Sequence, residues 1–372
     1  MTGADELSEK QTGVMRVPKL MVEVGPLWVT ALATVLLFLF AVQLLGTATD
    51  AAEPVIERTL RRVVVGNGSA LGLSWLTTYG LTNGSVVAAL TVTLLRSGLV
   101  TVSESFLMIA GSRLGGGAIV VFIGVLDYLQ ERGRQTLSEG TSLGLLTFLV
   151  TFSIYLPVTG VGLAVLVTFQ SELLAATSGL ELSLQTLQYF EPVTVFVTRT
   201  VGPGFALGIA FVLLFGSLWL FDELLKTVET ETVRKYMFQH FERRWVAFGF
   251  GLLITSLTTS VAFSLGVVVP LYNRQFVRRE EIVPYILGAN IGTLFDTLIV
   301  AFVLETTTGV AVVLVVIGLA MLFTLVALLA YEPYTAVIDG WQDRLLEDPR
   351  FFLAFGLLLV LLPVALVVGG HL

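Results

Sequence analysis

The sequence predicts an all-α polytopic membrane protein with two inverted repeats, each containing a re-entrant helical hairpin and a broken transmembrane helix. Three observations predict it. Only 13% of residues are charged, 55% are hydrophobic and the mean hydropathy is +0.88, whereas soluble domains carry roughly 25% charged residues. Apolar runs at 27–49, 140–169, 203–221, 308–330 and 351–370 each reach the length of about 18 residues that marks a candidate span. Finally, the segment GANIGT (288–293) has an earlier counterpart, GSRLGG (111–116), displaced by 288 − 111 = 177 positions, and both lie inside apolar runs.

The elements follow in chain order. Residues 1–26 carry charges throughout, with no apolar core before a small-residue cleavage site, and so read as a cytoplasmic tail rather than a signal peptide. The first span, 27–49, leads into residues 50–64, where Asp50, Glu53, Glu57, Arg58, Arg61 and Arg62 alternate with apolar positions, the pattern of an interfacial helix. Residues 66–95 are apolar yet hold five glycines and a polar centre at Thr77, Thr78, Thr82, Asn83 and Ser85. Breakers and hydrogen-bonding side chains at the middle of an apolar segment predict a hairpin that turns at membrane depth. A span over 103–128 is expected to break at GSRLGGG, because each helix-interior glycine costs about 1 kcal/mol relative to alanine. After a polar loop, 129–139, comes a third span, 140–169, with Pro157 and Gly160 marking a kink.

Beyond the loop 170–202 the order restarts: a span (203–221), a charged amphipathic stretch (222–244), a polar-centred apolar segment (246–271) and a span broken at GANIGT (281–304), then two more spans at 308–331 and 351–370. At offset 177, Thr78 falls on Thr255, Thr82 on Thr259, Gly111 on Gly288 and Gly115 on Gly292. The chain therefore divides into a first repeat over 27–169, an extracellular loop over 170–202 and a second, inverted repeat over 203–372. With both hairpins returning to their side of entry and the N-terminus inside, 15 Lys and Arg residues lie in cytoplasmic loops against five outside. That asymmetry sets the N-terminus in the cytoplasm and the C-terminus outside the plasma membrane. Inverted repeats with broken helices near the midplane are the build of secondary transporters.

Composition excludes several chemistries. There is no cysteine and only two histidines, His240 and His371, so neither thiolate chemistry nor an imidazole metal cluster is available. No phosphate-gripping P-loop, Ser-His-Asp set or nucleic-acid motif occurs, so the chain reads as a non-enzyme with no cofactor and no nucleic-acid partner. The net charge of −7 with four lysines among 21 basic residues is the usage of a halophilic microbe.

The residues left to carry function are polar groups within the apolar segments. A hairpin tip offers an anion the free N–H groups and positive dipole end of a helix, and Thr82, Asn83, Gly84 and Ser85 in the first repeat, with Thr259 and Ser260 in the second, occupy the expected tips. From GANIGT, Asn290 and Thr293 add an amide and a hydroxyl. Arg113 and Asp296 are the charges deep in predicted spans near these motifs, and an intramembrane charge costs at least about 2.5 kcal/mol unless it meets a cavity or a partner. Three readings stand: a structural Arg113–Asp296 pair across the repeat interface, Arg113 as an anion ligand, or Asp296 as a cation or proton site. Glu104, Glu280 and Glu281 mark span entrances and read as solvated.

At these residues the sequence resembles the type II sodium/phosphate cotransporter family, whose repeats carry a Thr-x-x-x-Gln-Ser-Ser-Ser hairpin core followed by Gly-Ala-Asn-Ile-Gly-Thr. GANIGT matches throughout, Gly111 and Gly115 keep its glycines, and Thr78 and Thr255 stand at the hairpin threonine. The resemblance covers roughly residues 30–310 and implies symport of phosphate, or a related small anion, with sodium. With its ligands implied at the two hairpin tips, and with the intramembrane charges read above, the expected substrate ligands are Thr82, Asn83, Gly84, Ser85, Thr259, Ser260, Asn290, Thr293 and Arg113, and the expected ion-coupling groups Thr78, Thr255, Asn290 and Asp296. A homodimer is compatible with it. The chain also departs from the family: Thr82-Asn83-Gly84-Ser85 and Thr259-Ser260-Val261-Ala262 replace both Gln-Ser-Ser-Ser cores, and Arg113 stands where the first motif has asparagine. Two functions follow, a secondary active transporter of a small anion and a non-transporting homologue serving as scaffold, sensor or partner subunit.

Overall fold

In a computed structural model of the protein, residues 16–130, 137–178, 190–227, 243–258 and 279–370 are described. Every regular element among them is helical. The helices are α1 (Arg16–Val63), α2 (Asn67–Leu81), α3 (Gly84–Arg96), α4 (Val102–Gln130), α5 (Leu137–Ser178), α6 (Glu191–Val201), α7 (Pro203–Thr227), α8 (Arg244–Thr258), α9 (Arg279–Gly292), α10 (Leu294–Val303), α11 (Thr307–Leu329), α12 (Tyr331–Glu347) and α13 (Pro349–Gly369).

Seven segments among the described residues are long and apolar enough to cross a membrane, at Val29–Leu60, Val102–Ile123, Ser142–Ala176, Pro203–Leu224, Glu281–Val303, Thr307–Leu329 and Pro349–Gly369. They coincide in number and position with the predicted spans. The two that carry the glycine motifs are the innermost: 78% of residues are buried in the most apolar part of Val102–Ile123 and of Glu281–Val303, against 11% in Pro349–Gly369. The apolar side chains that α13 leaves exposed, among them Leu353, Leu357, Leu358 and Leu361, are the surface a lipid environment accepts at no cost.

The predicted hairpin at 66–95 is two short helices, α2 and α3, separated by Thr82 and Asn83. Its counterpart is described only as far as α8, so the second tip and returning arm lie outside the described residues. Other boundaries move. α1 is continuous from Arg16 to Val63, so the amphipathic stretch 50–64 extends the first span rather than forming a separate helix. In α5 the helical dihedrals fail at Phe169, beyond Pro157, where a kink was expected. Residues 191–201 of the predicted loop form α6. Glu104 is buried, not solvated, because it closes a capping box: the Thr101 N–H donates to its carboxylate at 2.7 Å, its own N–H donates to Thr101 Oγ1 at 3.2 Å, and Arg61 lies 3.8 Å away.

Of the two glycine motifs, only GANIGT interrupts its helix as expected, and it does so by a single residue. α4 runs unbroken through GSRLGGG, and GANIGT is helical up to Gly292, with an interruption at Thr293 alone whose φ of −66° and ψ of −15° remain right-handed. The glycines serve close packing instead. A Cβ added to Gly111 would stand 2.6 Å from the Leu71 carbonyl oxygen, and one on Gly115 would stand 2.8 Å from that of Trp75. In the second half, a Cβ on Gly288 would stand 2.1 Å from the Phe248 oxygen, and one on Gly292 would stand 2.8 Å from that of Leu252. Each pair is a small-xxx-small stripe that lets two helix backbones touch, and here that gain outweighs the low helix propensity of glycine. The partners keep the same register as the glycines, since 248 − 71 and 252 − 75 both equal 177. A further contact follows suit: Ser74 Oγ donates to the Met108 carbonyl, and Gly251 packs on the carbonyl of Tyr285.

Substituting Gly288 with valine should therefore force α9 off α8 and cost about 1–3 kcal/mol, the usual range for overpacking. The same change at Gly318, where an added Cβ meets nothing within 4 Å, should be nearly neutral. Melting temperatures of the two variants in one detergent compare them directly.

Candidate functional site

A cavity of about 390 Å³ opens where the α2–α3 turn, α4, α5, the end of α7 and the α9–α10 junction meet. Its wall includes Thr82, Asn83, Gly84, Ser85, Arg113, Asn290 and Thr293, so seven of the sequence-derived site residues, drawn from both halves, share one space. Thr259 and Ser260 lie outside the described residues. Thr78 and Thr255 are buried but are not on this wall; they pack against Gly115 and Gly292 at the helix crossings, and Thr78 Oγ1 donates to the Ser74 carbonyl of its own helix at 2.8 Å. Asp296 stands behind the wall, beside Arg113.

The α2–α3 turn owes its shape to two residues. Thr82 ends α2 in the left-handed region at φ 52°, a conformation that costs a β-branched residue about 1–2 kcal/mol. Asn83 then caps α3, its Oδ1 accepting from the N–H groups of Ser85 at 3.0 Å and Val86 at 3.1 Å. Those are the donors that a bound anion was expected to use, so an anion at this tip competes with the cap or turns to the Asn83 amide N–H groups, which the cap leaves unused. Gly84 allows the tip to reach α4, since an added Cβ would stand 2.8 Å from the Ser112 carbonyl oxygen.

Asn290 is only 6% exposed and is wired to α5. The Tyr155 hydroxyl donates to the Asn290 carbonyl at 2.7 Å, and so does Thr293 Oγ1 at 2.9 Å. Thr151 Oγ1 lies 3.0 Å from Asn290 Oδ1 and 2.7 Å from the Thr147 carbonyl. One hydroxyl proton cannot serve both acceptors. With the proton on Thr147, the amide is better satisfied by turning its nitrogen to Thr151, which frees the side-chain oxygen in place of the buried nitrogen that otherwise has no partner. Either orientation leaves one Asn290 amide group unspent.

Arg113 and Asp296 do meet. Arg113 Nη2 stands 3.6 Å from Asp296 Oδ1 and donates to Thr297 Oγ1 at 2.8 Å, and Thr297 Oγ1 donates to Asp296 Oδ1 at 2.8 Å. The carboxylate sits in the first turn of α10, where a helix dipole favours negative charge.

The sequence reading missed Ser112, Thr147, Thr151, Tyr155 and Asp222, which also line the cavity. Three of these were within reach: residues 147, 151 and 155 recur every four positions in an apolar span, which is one polar stripe on one helix face.

Residues 212–336 match the sequence model of the Na+/Pi-cotransporter family. The match covers 336 − 212 + 1 = 125 of the 372 residues, about a third of the chain. The proteins that model describes are transporters rather than enzymes, and the seven apolar helices among the described residues mark the chain as a multi-pass membrane protein. No curated protein and no solved structure shows a significant match to the chain. The matched domain contributes Asp222, Asn290, Thr293 and Asp296, while Arg113 and the α2–α3 turn stand outside it.

Replacing Asn83 with alanine should remove the cap of α3 and destabilise the protein by about 1 kcal/mol, whereas Asn83→Asp should retain it. Thermal melting of the two variants at neutral pH separates a cap from a side chain that only faces the cavity.

Proposed function

We propose that the protein is a secondary active transporter that moves inorganic phosphate, or a related small anion, together with sodium by alternating access. The observation that carries this reading is the cavity itself, whose wall the α2–α3 turn and Arg113 from one half share with Asn290 and Thr293 from the other. The family domain over 212–336 supports phosphate and sodium as the transported species. The α2–α3 pair fits a re-entrant hairpin, because neither its 15-residue nor its 13-residue helix spans a hydrocarbon core of about 30 Å. The crossings of α4 on α2 and of α9 on α8, matched residue for residue at offset 177, support two repeats. The 15 to five distribution of basic residues supports an N-terminus inside and a C-terminus outside the plasma membrane.

In this reading Thr82, Asn83, Ser85 and Arg113 hold the anion. Asn290 and Thr293 hold either the anion or the sodium ion, through the amide group left unspent on Asn290. A second reading, a homologue that binds but does not transport, draws on one feature: both glutamine-containing hairpin cores of the resembled family are replaced here.

Proteoliposomes loaded with sodium-free buffer should accumulate labelled phosphate when sodium is supplied outside, and Asn290→Ala should lower the initial rate at least tenfold, equivalent to about 1.4 kcal/mol. Because the Asn290 side chain is tied to Thr151, the same variant should also melt at a lower temperature, while the Tyr155 bond to the backbone carbonyl remains. Phosphate binding without accumulation in any gradient would favour the non-transporting reading. For topology, the absence of cysteine allows single-cysteine variants: Ser178→Cys should react with an impermeant reagent on intact cells, and Ser138→Cys should not. The reverse pattern would overturn the hairpin topology.

A further inference from the structure

Position 113 in the first half corresponds to position 290 in the second, at the same offset of 177, yet one holds an arginine and the other an asparagine. The arginine is incompletely paired. A guanidinium and a carboxylate at their best share two parallel hydrogen bonds of about 2.7–2.9 Å, whereas Arg113 and Asp296 share a single 3.6 Å contact bridged by Thr297. Arg113 Nε and Asp296 Oδ2 have no hydrogen-bond partner among the described residues, although the side chains are only 7% and 3% exposed. A buried pair with unmet groups on both members gives back little of its desolvation cost and is readily divided.

Position decides which member is taken. Arg113 lies on the cavity wall beside the α2–α3 turn, and Asp296 does not. An anion entering the cavity therefore meets the guanidinium, whose unpartnered N–H fits its oxygens, and draws it from the carboxylate. Asp296 is then a buried negative charge without a counter-ion, which its surroundings do not replace. Of the helices packed against α10, α11 carries no titratable side chain, and α3 carries Arg96, which Asp50 of α1 holds at 3.6 Å. The other charges of α1 are Arg16, Lys19 and Glu23 in its first turns and Glu53, Glu57, Arg58, Arg61 and Arg62 beyond Asp50, α9 carries Glu281 and its neighbours at its start and Tyr285 further on, and α8 carries Arg244 at its first position. From α5, the Tyr155 phenol lies within electrostatic reach of both charges. Among the described residues, Arg113 is the one cation within ion-pair distance of Asp296.

We propose that Arg113 exchanges Asp296 for the bound anion, and that Asp296 in turn takes up a monovalent cation, so that this change of ion-pair partners couples anion binding to cation binding. The charges balance. The resting pair is neutral, one negative charge on the anion would leave the site at −1, and one sodium ion or proton restores neutrality. This mechanism rests on the anion-transport reading above and adds the coupling step to it.

The test is phosphate binding to the purified full-length protein by calorimetry, in sodium chloride and in choline chloride at pH 7.5, and in choline chloride at pH 6.0 and 8.0. The parent should bind phosphate at least tenfold more tightly with the coupling cation, in sodium over choline for sodium or at the lower pH in choline for a proton. Asp296→Asn should still bind phosphate but lose that dependence, because no carboxylate is left to neutralise. Using the Asp296→Asn titration as the pH reference removes the protonation of phosphate itself. Arg113→Gln should lose phosphate affinity at least tenfold. If that variant does not fold with Asp296 unpaired, the neutral double variant Arg113→Gln/Asp296→Asn decides in its place, and it should show neither tight phosphate binding nor cation dependence. The proposal is overturned if the parent binds phosphate equally in every condition, or if Asp296→Asn or the double variant keeps the parent's cation dependence. Should the parent bind no phosphate at all, the transport reading falls with it.

Discussion

Backbone contact at four glycines sets the spacing of everything around the cavity. In a lipid phase, apolar side chains have nothing to gain from leaving one apolar medium for another, so helices associate through close packing and directed hydrogen bonds. Gly111 and Gly115 press α4 onto the carbonyls of α2, and Gly288 and Gly292 press α9 onto those of α8. The α2–α3 turn is carried on the first crossing and Asn290 on the second. Their relative positions, and hence the width of the cavity, follow from how closely two pairs of backbones approach.

Within that frame, the polar groups fall into two kinds. Some are spent on structure: Asn83 on the first amides of α3, Thr78 on its own helix, and Thr101 and Glu104 on the start of α4. Others have unmet capacity in buried positions: among the described residues the hydroxyls of Thr49, Ser105, Thr198 and Thr324 do, and so, around the cavity, do three groups, Arg113 Nε, Asp296 Oδ2 and one amide group of Asn290. Unmet capacity of this kind is expensive in a low-dielectric interior. All three lie at or immediately behind the cavity wall, where a small ion would supply the missing interactions. Under the transport reading proposed above, ligands satisfied by the substrate and poorly satisfied without it would give the cost and the function one physical origin.

The α2–α3 pair adds a second tension. Thr82 holds a left-handed backbone that glycine would adopt more easily, and it lies next to Gly84, which is packed on α4. Among the described residues only Glu305, between α10 and α11, shares this non-glycine conformation, and the helices that flank the α2–α3 turn are regular. A turn held in a costly conformation by its surroundings is one that a change in those surroundings can move.

Hydropathy determined the class of protein, the seven spans and their order, because transfer to lipid is a sum over the residues of each segment and needs no knowledge of its neighbours. The offset of 177 and the polar centre of 66–95 were legible for the same reason. The glycine motifs were legible as positions, but the first was misread as a break and the second interrupts its helix at Thr293 alone: low helix propensity is a local property, whereas the benefit of having no side chain exists only when another helix lies opposite. Tyr155 and Thr151 escaped notice as partners of Asn290 because a spacing of four marks a face without saying what that face meets. That Arg113 reaches Asp296 through Thr297, 184 positions along the chain, and that Thr82–Ser85 share a cavity with Asn290, were decided by tertiary structure alone, since both depend on which helix faces oppose one another across the bundle.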